Sequence, residues 1–295
     1  MISILIPTYN YNVFPLVAQL HSWFYATGSP FEIRVCDDAS PERVSENEKI
    51  SELAHVTFTT SKINLGRTGI RHQLAADATY DYLLFMDADV LPKHEDFAVA
   101  FLREIGHDIV FGGICYKTQP PAREMRLRWT YGRSRETVSV AERKKQPYLT
   151  VNSGCFMIKR NLFLRLNEKL QLKKYGLDNY FKELLRNEKV SVSHIDNPVY
   201  HLGLEENEKF LKKSLEAIET THYLEKEGLL PANARPLQKS FQKLKRWRLT
   251  GLFTGLISLF KKGMERNFLG NRPNLFYFDL YRLHYYIQLK RKSDA

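Results

Sequence analysis

The stretch "DYLLFMDADV", residues 81–90, limits the possible folds more than any other. Tyr82 to Met86 are apolar without a break, and Asp87-Ala88-Asp89 then stops the run. A strand with one wet face alternates apolar and polar residues. An unbroken apolar run of this length reads as a strand covered on both faces, as in parallel sheets flanked by helices. The preceding sequence has the same character. "ISILIPTYN" is apolar and β-branched up to Pro7, "FEIRVCDDAS" ends in acids, and "HVTFTTSK" follows. Between these runs, "FPLVAQLHSWFYAT", ending near Gly28, and "RTGIRHQLAADAT" have helical spacing. The order predicts an α/β fold, an open sheet with helices on both faces.

Further along, "HDIVFGGICY" reads as a fifth strand and "YLTVNSGCFMIKRNLF" as strand, turn and helix. "VSVSHIDNPVYHLG" reads as a strand pair or a strand and a loop. Residues 117–146 are basic and irregular, a flexible loop or a helical excursion. From about Glu205 the pattern is helical to the end. A boundary there separates residues 1–204, the expected catalytic domain, from residues 205–295, a basic amphipathic helical tail.

Composition narrows the classes. At 295 residues and 43% hydrophobic, the chain can bury a sizeable core. Cys36, Cys115 and Cys155 are few, odd in number and far apart, which supports neither a disulfide framework nor a zinc site and suits a reducing cytoplasm. The first residues lack the basic and long apolar regions of a signal peptide. No apolar run reaches the ~20 residues that span a bilayer. The formal charge of +11 points to an anionic partner: a nucleotide diphosphate, acidic lipid or nucleic acid. Nucleic acid is disfavoured, because the aromatics of the basic segment 239–262 sit at helical spacing among apolar neighbours and no reader motif appears. That segment suits a helix lying on an anionic membrane surface, or one packed on the catalytic domain.

Open α/β sheets bind ligands beyond the carboxyl ends of their strands. There the first strand delivers Pro7, Thr8 and Tyr9, the second Asp37 and Asp38, and the fourth Asp87 and Asp89. Acids at i and i+2 can point to one side and share a hard divalent cation that neutralises phosphate oxygens. Plain loop solvation is the alternative, since acids are common after strands.

"SILIPTYN", "VCDDAS", "NLGRTGIRHQLA" and "YDYLLFMDADV", in this order within about 90 residues, resemble the nucleotide-sugar glycosyltransferases of family 2, of GT-A fold. "VNSGCFMIKRNLF" and "HIDNPVYHLG" look like that family's second half. The resemblance covers residues 1–205. It implies that Pro7, Thr8 and Tyr9 line a nucleotide pocket and that Asp38 accepts a hydrogen bond from the base, typically uracil. It also implies that Arg71 faces the diphosphate or braces the acids. Asp87 would contact ribose or metal, Asp89 would ligate the metal, and His201 would complete the site for Mn2+ or Mg2+. Ser153 and Gly154 would approach the donor sugar, while His194 reads as structural.

The family usually supplies its catalytic base from a Glu-Asp pair opening a helix. Here the segment is "YGLDNYF", which offers Asp178 and the amide Asn179. Asp178 is the expected base, with helix capping as an alternative or additional role. The implied activity is inverting, metal-dependent transfer of a sugar from a UDP-sugar to a glycan or lipid-linked acceptor of a bacterial surface polysaccharide. The site of action would be cytoplasmic, at the inner face of the plasma membrane. Two other classes remain for comparison. One is a nucleotide-sugar or glycan binder that has lost its base. The other is a nucleotidyltransferase, which would need a Gly-rich, Lys- or Arg-bearing loop that "PTYNYNVF" lacks.

Overall fold

The computed structural model describes residues 1–42, 44–170, 172 and 174–294. In chain order the elements begin with β1 (Ile2–Thr8), α1 (Phe14–Ala26), β2 (Phe31–Asp37), β3 (Val56–Thr60) and α2 (Gly66–Asp77). Next come β4 (Tyr82–Met86), β5 (Val90–Pro92), α3 (Phe97–Leu102), β6 (Ile109–Phe111) and β7 (Ile114–Cys115). They are followed by α4 (Arg126–Tyr131), α5 (Val140–Lys145), β8 (Cys155–Lys159), α6 (Arg160–Glu168) and α7 (Asp178–Asn187). The last are β9 (Val192–His194), β10 (Val199–His201), α8 (Asn207–Lys226), α9 (Pro236–Arg246), α10 (Thr250–Phe268) and α11 (Leu275–Asp294).

These elements form two compact units. The first comprises Met1–Tyr116, Glu136–Lys173 and Leu184–Gly203. Among the described residues its main sheet has seven strands in the order β3-β2-β1-β4-β8-β6-β9. The first four run parallel, β8 is antiparallel to β4 and β6, and β9 runs parallel to β6. Ile4, Leu84, Met157 and Val110, on four adjacent strands, are all fully buried. Burial on both faces is why these segments read as apolar runs rather than alternating ones.

The expected fifth strand is two strands in different sheets. β6 stays in the main sheet, whereas β7 joins a small sheet of order β5-β10-β7. Gly112 and Gly113 make the break. A Cβ at Gly112 would collide with the carbonyl of Asn197, and Gly113 sits at φ +101°, where side chains are strained. The residues 192–201 likewise form a strand pair divided between the two sheets.

Part of the basic segment 117–146 is ordered by Arg143. Buried in the first unit, it donates to the carbonyls of Phe111, Gly112, Val138 and Ile195. His194, expected to be structural, lies 3.3 Å from Arg143 and bonds the Pro147 carbonyl.

The second unit comprises Lys117–Arg135, Lys174–Glu183 and Leu204–Ala295. Its helices close around two apolar clusters. Leu127, Phe210, Ile257, Met264, Phe268, Phe278 and Tyr281 form one. Ile218, Phe241, Leu283, Tyr286 and Ile287 form the other. Partly buried Glu225 ties three helices together, accepting from Gln238 at 3.1 Å, from Lys290 at 2.7 Å and from the Tyr286 hydroxyl.

Candidate active site

The carboxyl ends of β1, β2 and β4 are adjacent, because β1 pairs with both neighbours in parallel register. The loop after β1 is held rigidly. The Tyr11 carbonyl accepts from Thr8 Oγ1 at 3.2 Å and from Asn47 Nδ2 at 2.9 Å, while Asn10 N donates to Ser40. Thr8 is buried and Tyr9 exposed. Asp38 is buried, and its two carboxylate oxygens take the backbone N–H groups of Leu65 (2.7 Å) and Gly66 (2.9 Å). It thereby caps α2 from a distance, since Leu65 at the cap position offers no side-chain acceptor. A carboxylate has room for about four acceptor contacts, so a further donor can still reach Asp38.

That cap fixes the start of α2, and α2 carries two arginines one turn apart. Arg71 is buried, with its Nη2 2.5 Å from Asp87 Oδ1 and 2.6 Å from the Ser153 carbonyl. Its guanidinium also lies within 6 Å of the Phe85 and Phe156 rings, a cation–π setting. Arg67 is half exposed and reaches the other oxygen, Asp87 Oδ2, at 2.7 Å and Ser153 Oγ at 3.1 Å. Burial opposes the charge on Asp87, but Arg67, Arg71 and His201 outweigh it and hold the carboxyl below the usual aspartate range. Gly154 closes this side: its carbonyl accepts the Asp87 N–H, and a Cβ there would press on Asn152 and approach Asp87.

Asp89 points elsewhere. Its oxygen Oδ2 lies 3.5 Å from His201 Nε2. The small sheet makes that pairing, because β10 runs antiparallel to β5 with His201 opposite Val90. The Asp89 carbonyl takes the Leu202 N–H, and a Cβ on Gly203 would collide with the Asp89 carboxylate. Tyr11 is nearby: burial raises its hydroxyl pKa, and the Asp89 charge adds to that rise.

The fold therefore brings together Asp87, Arg71, Ser153 and Gly154 as one cluster and Asp89 with His201 as another, all within the first unit. Asp178 belongs to the second unit. It is the first residue of α7, half buried, where a helix N-terminus favours negative charge. Arg67, Tyr11 and Gly203 were not anticipated from sequence. Arg67 has a signal there, since it lies four residues from Arg71 on the same helical face.

Among the described residues no group of three or more His, Cys, Asp and Glu side chains gathers as a metal cage. Asp89 and His201 are two donors on one small sheet, with Gly203 leaving the space that the carboxylate occupies. That set fits a divalent ion whose remaining ligands come from a diphosphate and water.

A mixed sheet with acids beyond its parallel strands, flanked by helices, is the GT-A class of nucleotide-sugar fold. The glycosyl transferase family 2 profile matches residues 3–166, more than half of the chain, and the protein belongs to that family. An uncharacterized glycosyltransferase of Haemophilus influenzae is 36% identical over 89 residues, 30% of this chain and 29% of that protein. The match thus spans less than a third of that relative's length. The mannosyltransferase PcManGT of Pyrobaculum calidifontis, solved with GDP-Man and Mn2+, has a similar fold. Its TM-score is 0.57 at 17% identity, over 100% of this chain and 87% of that one. Mannosyl-3-phosphoglycerate synthase of Rubrobacter xylanophilus gives 0.53 at 14% identity, over 80% of this chain and 77% of that one.

Proposed function

We propose that the protein is an inverting, metal-dependent glycosyltransferase. It moves a sugar from a nucleotide sugar, a UDP-sugar by preference, onto a glycan or lipid-linked acceptor in surface-polysaccharide synthesis at the cytoplasmic face of a membrane. The observation that carries this reading is the arginine-braced Asp87 at the carboxyl end of β4, with Asp89, two residues further along the chain, paired to His201.

In this reading Pro7, Thr8 and Tyr9 line the nucleotide pocket and Asp38 accepts from the base. Asp89 and His201 hold Mn2+ or Mg2+, and Asp87 serves the ribose or the ion. A bound divalent cation would neutralise charge on the departing diphosphate. Arg67, exposed and reaching over Asp87, is suited to meet the same oxygens. Ser153 and Gly154 lie against the sugar. Asp178 removes the proton from the acceptor hydroxyl. That oxygen bonds to the anomeric carbon from the face opposite the leaving group, the carbon–oxygen bond to the diphosphate breaks, and the nucleoside diphosphate leaves. Asn179 beside Asp178 keeps the non-catalytic binder as the second reading, since an amide takes no proton.

A thermal-shift screen with Mn2+ over UDP-, GDP- and dTDP-sugars should show one donor class stabilising the protein. GDP-sugars belong in the screen because PcManGT was solved with GDP-Man. With that donor, Asp178→Asn should retain donor binding and lose turnover by about a hundredfold or more. Unchanged turnover in Asp178→Asn would remove the base assignment. No turnover in the unsubstituted protein with any donor would favour the binder.

A further inference from the structure

Helix α10 has apolar residues on two sides, and only one of them is covered. Ile257, Met264 and Phe268 are buried in the first apolar cluster of the second unit. With 3.6 residues per turn, Leu252, Leu256, Leu259 and Phe260 fall together on another side. They are 73%, 52%, 80% and 59% exposed. Gly255 and Gly263 share that side, and a Cβ on either would meet open space. Trp247, 65% exposed, lies in the turn between α9 and this helix. Single exposed leucines are ordinary, but four large apolar side chains on adjoining turns form a patch that marks an interaction surface.

Charge identifies the partner. From Gly228 to Met264 there is no Asp or Glu, while eight Lys and Arg residues occur. Exposed Lys245, Arg246 and Arg248 lie at the end of α9 and in the short turn before α10, and Lys262 borders the patch. A second copy docking symmetrically would set one acid-free cationic stretch against another. Nucleic acid would match the cations and leave the four apolar side chains in water. No helix of the described residues is long and apolar enough to cross a membrane.

We propose that this face of α10 docks on the surface of an anionic lipid bilayer. Leu252, Leu256, Leu259 and Phe260 enter the acyl boundary, and Lys245, Arg246, Arg248 and Lys262 meet the headgroup phosphates. The inference deepens the reading of an acceptor held at a membrane, on which it rests, yet it is measured without donor or acceptor.

The test is co-sedimentation of the full chain with phosphatidylcholine vesicles, alone or containing about a quarter phosphatidylglycerol. Binding should favour the anionic vesicles by about tenfold and weaken as salt rises from about 0.1 to about 0.5 M. The double variant Leu256→Glu, Leu259→Glu should lose about tenfold in vesicle affinity. Both side chains are exposed, so its thermal melt should match the parent's. Light scattering is run on both proteins. Failure to bind anionic vesicles, binding that survives the double substitution, or a dimer abolished by it would each overturn the proposal. Absence of sugar transfer alongside normal vesicle binding would count only against the enzyme reading.

Discussion

At the residue scale, the two arginines on α2 meet the same carboxylate from different surroundings and should behave differently. Arg71 is buried and bonds both Asp87 and the Ser153 carbonyl. Arg71→Ala leaves a largely enclosed acid short of a partner, and should cost about 3 kcal/mol in denaturant unfolding. Arg67 is half exposed, so Arg67→Ala should change stability by less than about 1 kcal/mol. Donor affinity, read by calorimetry, should nevertheless fall about tenfold, because the proposed charge-assisted contact to phosphate would be lost. Equal stability losses in the two variants would contradict this division. Gly203→Ala is sharper still. The added methyl must displace Asp89 from its place beside His201, so Mn2+-dependent donor binding should vanish while the melt shifts modestly. The acids were legible because each follows a buried strand directly. The need for Gly203 was not, since it comes from a carboxylate more than a hundred residues away in sequence.

At the element scale, the parallel half of the main sheet was legible because double-sided burial leaves an apolar run. The small sheet was not, because β5, β7 and β10 are two or three residues long and show no period. The second unit offers the clearest test of element packing. Burial works against the charge of Glu225, but hydrogen bonds from Lys290, Tyr286 and Gln238 hold its carboxyl below the usual glutamate value of 4.5. A depressed folded value means that Glu225 adds stability in full above that value, and that the contribution fades as pH falls through the lower, folded one. The unfolding free energy should therefore drop on acidification below about pH 4.5, and it should drop less in Glu225→Gln. At neutral pH, Glu225→Ala should cost about 2 kcal/mol, since partly buried Lys290 loses its carboxylate partner where α8, α9 and α11 meet.

At the scale of the whole molecule, the cysteines bear on what can hold the chain together. Cys36, Cys115 and Cys155 are all free thiols. Burial pushes the Cys115 thiol up to about 11 and raises Cys155 further, so neither ionises at neutral pH. Dithiothreitol should leave the melting temperature unchanged, and iodoacetamide should label folded protein slowly; a drop in melting on reduction would contradict the first, and rapid labelling the second. The net charge of +11 was visible as a number, but its concentration between Gly228 and Met264 becomes a surface only when α10 folds and turns its leucines outward.

The order of the small sheet also has a consequence for how the protein is made. Among the described residues β10 is its central strand, and β5 and β7 pair only with β10. During synthesis, β5 and Asp89 leave the ribosome long before residue 199. Until then β5 has no strand beside it and Asp89 has no imidazole. A nascent or truncated chain can assemble β1, β2 and β4 and still lack the Asp89–His201 pair. Completion of that pair is thus tied to near-completion of the first unit, so prematurely released fragments should lack the proposed metal site.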